Sequence, residues 1–92
     1  MSEVLEETAN FISELICRRI GFENIYFVGV RLDKIESVNN LHIIEVNVTL
    51  ETRPFVNVDV DETVFQALEE GMKFARRRFE ERGIKTRLWS IH

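Results

Sequence analysis

The run Leu41–Thr52 constrains this chain more than any other. His42, Ile44, Val46, Val48 and Leu50 alternate there with Ile43, Glu45, Asn47, Thr49 and Glu51. Period-two alternation describes an extended strand with one dry face and one mostly wet face. Such a strand needs both partner strands and a cover for its dry side.

Two segments of helical period supply the cover. From about Ser2 to Ile20, the residues Leu5, Ala9, Ile12, Ile16 and Ile20 form one stripe, widened by Val4, Phe11 and Leu15. Ser2 suits the N-cap, Arg18 and Arg19 suit the C-terminal end, and Gly21 suits the left-handed stop. A second helix starts at Asp59 or Asp61, where Asp59-Val-Asp-Glu62 has capping-box spacing, and runs to about Arg82. Its expected core stripe is Val64, Phe65, Leu68, Met72, Ala75 and Phe79, and Gly83 ends it.

Further β-formers stand between and after the helices. In Ile25–Leu32, parity places Tyr26, Val28, Val30 and Leu32 on one face and Ile25, Phe27, Gly29 and Arg31 on the other. Asp33 to Asn40 reads as the hairpin connection, with Asn39-Asn40 best able to adopt positive φ. Pro54 interrupts the ladder; Val56, Val58 and Val60 form either a short extended run or a loop pinned to the core. Ile84 to Ile91 is a final strand. The fold class is therefore α+β, a two-layer sandwich in the order α-β-β-(β)-α-β. Two helices pack on one face of a small mixed or antiparallel sheet, with the first strand expected in its middle. Gly71 supports a two-helix layer, because a glycine inside a helix costs about 1 kcal/mol against alanine and marks close backbone approach.

Ninety-two residues suit one domain. A single cysteine, Cys17, excludes a disulfide framework and a multi-Cys zinc site, and its place beside the apolar arc suggests a packing role. No apolar run has the length of a bilayer span, and Glu3, Glu6 and Glu7 replace a basic leader; the expectation is a soluble cytoplasmic protein. His42 and His92 lack the spacing of a metal site, and Glu45 and Glu51, ~20 Å apart along one strand, are too distant for a catalytic pair. Neither a glycine-rich phosphate loop nor an activated nucleophile is present, so no catalytic residue, metal or cofactor is indicated.

Charge is uneven. The segment 73–87 holds seven bases against two acids, a local charge of +5, which leaves −9 on the remainder of a chain of net charge −4. Lys73, Arg76 and Arg77 have acidic neighbours one helical turn away, which makes much of this segment a solvated helix face. Arg78, Arg82, Lys85 and Arg87 have no such neighbour. With Arg31 they form a candidate anion- or RNA-binding set, helped by sheet aromatics on which bases could stack.

Phe27, Ile43, Trp89 and Ile91 share outward parity with Ile25 on the open sheet face, and several such residues together suggest a covered surface. The cover could be internal, if the loop 53–60 folds Phe55 across that face. Phe74 either completes the seam with the first helix or stands exposed for a partner. These residues favour a non-enzymatic interaction domain that forms a homodimer through the open sheet face or through Leu41–Thr52 as an edge strand. The alternative is a nucleic-acid- or ribosome-associated module using the basic segment, or an acidic protein partner; the third is an enzyme whose site is assembled at a dimer interface. The order of elements loosely resembles the second K-homology topology. The GxxG tetrapeptide of its RNA-binding members is absent, so no function or residue role is carried over.

Overall fold

The computed structural model describes residues 2–90. Their elements are α1 (Ser2–Ile20), a single 3₁₀ turn (Phe22–Asn24), β1 (Ile25–Val38), β2 (Leu41–Thr52), α2 (Val60–Glu81) and β3 (Lys85–Ser90). The two helices lie side by side on one face of a three-stranded mixed sheet, as the pattern of periods requires.

Local chemistry sets the ends of these elements. Gly21 (φ 99°) breaks α1, and the Asn24 side-chain amide donates to the Ile20 carbonyl at 2.8 Å, satisfying a C-terminal acceptor. The Asp59 carboxylate accepts the Glu62 N–H at 3.1 Å and starts α2. Gly83 (φ 72°) stops it in a Schellman motif, in which Ile84 N–H donates to the Phe79 carbonyl at 2.9 Å and Gly83 N–H to that of Glu80 at 3.0 Å.

The sheet order is β1-β2-β3, with β1 antiparallel and β3 parallel to β2. The expectation of β1 in the middle is corrected. The most apolar strand takes the centre: Ile44 and Val46 of β2 are completely buried. The charges of Arg31, Asp33, Lys34 and Glu36 place β1 at an edge, where they reach water. Leu41–Thr52 is accordingly no edge strand over its whole length. Leu41–Val46 is flanked on both sides, and only Asn47–Thr52 is free on the side away from β1 among the described residues.

Two further corrections concern β1. The strand continues to Val38, so the hairpin turn is only Asn39-Asn40, with φ 50° and 66°, the type I′ combination. Register shifts at Ile25/Phe27 and Lys34/Glu36 also break the alternation read from sequence. Because Tyr26 is the extra residue of the first shift, Ile25 pairs with Thr52 and packs against the core, while Tyr26 is exposed. The segment between β2 and α2 is a loop rather than a third strand of that half. Arg53 N–H ties it to the Asn24 carbonyl at 2.8 Å, and Val56 pins it to the core.

The core joins Val4, Ile12, Ile16 and Ile20 of α1 and Val64, Ala67, Leu68, Ala75 and Phe79 of α2 to Leu32, Ile44, Val46 and Leu88 of the sheet. Gly71 is buried at the helix seam: a Cβ there would stand 2.2 Å from Ile12 Cγ1 and 2.5 Å from Cδ1. Phe65, expected in the core stripe, is 57% exposed. Nine residues separate it from Phe74, so the two point in opposite directions from α2.

Candidate interaction surfaces

The outer side of the helix seam is already internally paired. Antiparallel α1 and α2 match residues in four-residue steps: Glu3 with Arg82 at 3.2 Å, Glu7 with Arg78, and Phe11 with Phe74. The two rings stack at 4.7 Å between centroids with 5° between planes, and the Arg78 guanidinium lies 5.8 Å from the Phe74 centroid. Arg19 and Glu70 add an ion pair at 3.0 Å. Phe74 thus completes the seam. Arg78 and Arg82, read as lacking partners one turn away, find them across the helix pair.

Register also divides the open sheet face. Phe27 stands opposite Glu51 and Trp89 opposite Glu45. Six residues of β2 separate those rungs, roughly 20 Å at 3.3 Å per residue. Phe27 (52% exposed) lies across Gly29, where an added Cβ would be 3.1 Å from the ring. Trp89 (44% exposed) instead belongs to a patch with Ile35, Glu36, Ile43 and Arg87 at the far end. Between them lies an open depression of about 700 Å³ lined by Gly29, Arg31, Glu45, Asn47 and Thr49. Arg31 there pairs with Asp33 at 2.8 Å. Lys85 and Arg87 make no ion pair among the described residues. Ile91 lies outside the described residues. Ile25 does not belong to the face, for the reason given above.

The loop after β2 leaves this face uncovered. Phe55 is fully exposed and carries φ 62°, a left-handed conformation uncommon for an aromatic residue. Phe22, Tyr26 and Phe65 are exposed as well. Sequence reasoning placed Phe65 in the core stripe, let Phe55 cover the sheet face, set Tyr26 on the face of Val28 and Val30, and gave Phe22 no role. Phe22 and Phe55 sit in connections that periodicity does not describe, Tyr26 is turned outward by the bulge, and Phe65 lies on the rim of a wide apolar arc. Phe22, Tyr26 and Phe55 belong to the end of the sheet where β1 begins and β2 finishes, and Phe27 stands there too.

His42 is half-buried at the hairpin end, with Nδ1 3.5 Å from Ser37 Oγ, beside an open depression lined by Asn39, Asn40 and Lys85. Cys17 is buried in α1 as a free thiol. No three His, Cys, Asp or Glu side chains converge among the described residues, and none of the described helices is long and apolar enough to cross a membrane. Comparison with family models, with characterised proteins and with solved structures finds no match to this chain.

Proposed function

We propose that this chain is a non-enzymatic interaction domain that works as a homodimer associating through its sheet. One observation carries the reading. Of nine aromatic residues, Phe22, Tyr26, Phe27, Phe55, Phe65 and Trp89 are exposed. A chain this small has little core to spare, and leaving six large apolar groups in water forgoes ~1.5–3 kcal/mol of burial for each. Surfaces of that kind mark association sites in monomeric folds.

The competing RNA-binding reading rests on cations beside aromatics. Among its five cations, Arg31, Arg78 and Arg82 already pair with carboxylates, which leaves Lys85 and Arg87, and of these only Arg87 shares a patch with Trp89. The dimer reading is tested by multi-angle light scattering and sedimentation equilibrium on the intact chain. A mass twice that of the 10.9 kDa chain supports it. A single-chain mass at ~50 μM, a concentration that populates any dimer with a micromolar dissociation constant, overturns it.

A further inference from the structure

We infer that the flank of α2 away from α1, with the side of β3 beneath it, docks on the same flank of a second copy, the two α2 helices running antiparallel across a two-fold axis. The inference rests on the dimer reading above and places the contact on the β3 side of the sandwich. Gly71 marks the side of α2 that meets α1. At about 100° per residue, Glu69, Arg76 and Glu80 lie roughly 140–180° around the helix from Gly71, and Phe65 about 120°. These four side chains are exposed. Toward α1 the charges of α2 are paired, Glu70 with Arg19, Arg78 with Glu7 and Arg82 with Glu3. On the opposite flank Glu69, Lys73, Arg76 and Glu80 make no ion pair among the described residues, although their spacing would allow two.

The flank complements itself. Phe65, 57% exposed, projects from the N-terminal half of α2. Near the C-terminal end, Arg76, Glu80, Gly83, Ile84, Lys85 and Thr86 line an open depression of about 340 Å³ between α2 and β3. Phe65 and Glu80 are about 22 Å apart along the helix, at 1.5 Å per residue. A two-fold axis between Met72 and Lys73 sets Phe65 opposite Glu80 of the second copy, at the mouth of that depression. Each copy then supplies one ring and one recess. The same axis sets Glu69 opposite Arg76 of the second copy and Arg76 opposite its Glu69, with the half-buried Met72 beside the axis. Glu62 falls opposite Gly83 of the second copy, next to Lys85. No two like charges stand directly opposite.

The ring supplies the anchor and the charges fix the register. A phenylalanine seated in a partner's recess is the kind of contact that dominates interface energy. Exposed ion pairs add little strength, but opposed like charges exclude alternatives. Moving the axis by about one helical turn either way opposes Glu69 to Glu69 or Arg76 to Arg76. Parallel helices in register oppose both. The open sheet face offers no such match: Phe27 and Trp89 stand far apart there, and the depression between them carries Arg31, Glu45, Asn47 and Thr49.

Glu69 and Arg76 are exposed, so reversing either charge leaves the monomer core intact, as circular dichroism would verify. In sedimentation equilibrium, Glu69→Arg and Arg76→Glu should each weaken the dimer by about tenfold or more, because each sets like charges opposite one another twice across the axis. The two variants mixed in equal amounts should regain a dimer of near wild-type strength. The double variant Glu69→Arg/Arg76→Glu should regain it alone, since both arrangements restore opposite charges. Phe65→Ala should weaken the wild-type and the double-variant dimers alike. If the wild-type chain dimerises but neither reversal weakens it, or if mixing and the double variant both fail to restore it, the α2 assignment is overturned while the dimer reading stands. Dissociation by Phe27→Glu or Trp89→Glu instead has the same meaning. A monomeric wild-type chain overturns both.

Discussion

Replacing Gly71 by alanine separates two opposed effects whose sizes follow from the structure. In a solvent-facing helix the change should stabilise by ~0.8–1.0 kcal/mol, the propensity difference between the residues. Here the new Cβ would stand 2.2 Å from Ile12 Cγ1, against an ordinary carbon–carbon separation of about 3.5–4.0 Å. Ile12 is completely buried among core side chains, so it can yield only by leaving its rotamer or by pushing α1 away. Overpacking of that kind costs ~1–3 kcal/mol. The net expectation is destabilisation by about 1 kcal/mol, read in urea as a midpoint lowered by roughly 0.5–1 M at an m-value of 1–2 kcal/mol/M. Ile12→Ala removes both close atoms and leaves only Cβ, 3.7 Å away. That variant alone should lose ~2–5 kcal/mol. In its background, Gly71→Ala should become stabilising, with a coupling energy of ~1–3 kcal/mol in the double-mutant cycle. A Gly71→Ala protein with a raised midpoint, or additive behaviour of the two changes, would refute the close approach of α1 and α2.

Asp59→Ala should cost ~0.5–2 kcal/mol in thermal or chemical unfolding, because the Glu62 N–H loses its acceptor and α2 its cap. Thr8 is completely buried and donates to the Val4 carbonyl at 2.7 Å; since that carbonyl keeps its helical N–H partner, Thr8→Val should raise stability by up to ~1 kcal/mol, and a loss would show that the hydroxyl is structurally required. Asn40→Gly should stabilise the hairpin by a few tenths of a kcal/mol, since φ 66° there favours glycine and Asn-Gly is the preferred type I′ pair; a lowered melting temperature would contradict the turn assignment. Fluorescence titration of Trp89 at low salt with mixed single-stranded oligonucleotides should show no binding tighter than ~100 μM, the level of ordinary nonspecific attraction, and a tighter complex would restore the RNA reading.

The sequence by itself determined the features whose physics is local. The helical periods of α1 and α2, a cap at Asp59 or Asp61, the glycine stops at Gly21 and Gly83, and the positive φ of Asn39-Asn40, though not the shortness of their turn, depend on residues within one or two turns of chain. Gly71 was legible for the same reason, since a glycine inside a strong helical pattern needs a tertiary cause. Alternation identified β2 and its dry face because Ile44 and Val46 have no extra residue between them and the rest of the strand.

Tertiary structure decided everything that depends on pairing between distant segments. Strand order was not readable from the strands singly, since a β1-centred and a β2-centred sheet bury almost the same residues; the charges of β1 and the short β3 tip the balance toward β2. A bulge adds one residue on one strand only, so alternation alone could not show that Ile25 turns inward and Tyr26 outward. Arg78 and Arg82 met Glu7 and Glu3 because antiparallel helices bring together positions more than seventy residues apart, a relation that rules based on one-turn spacing do not contain. The parallel register of β3 has the same origin. Among the described residues β3 runs beside β2 from Lys85 opposite Leu41 to Ser90 opposite Val46, a register set where α2 delivers the chain to the sheet and not by any residue of β2 itself.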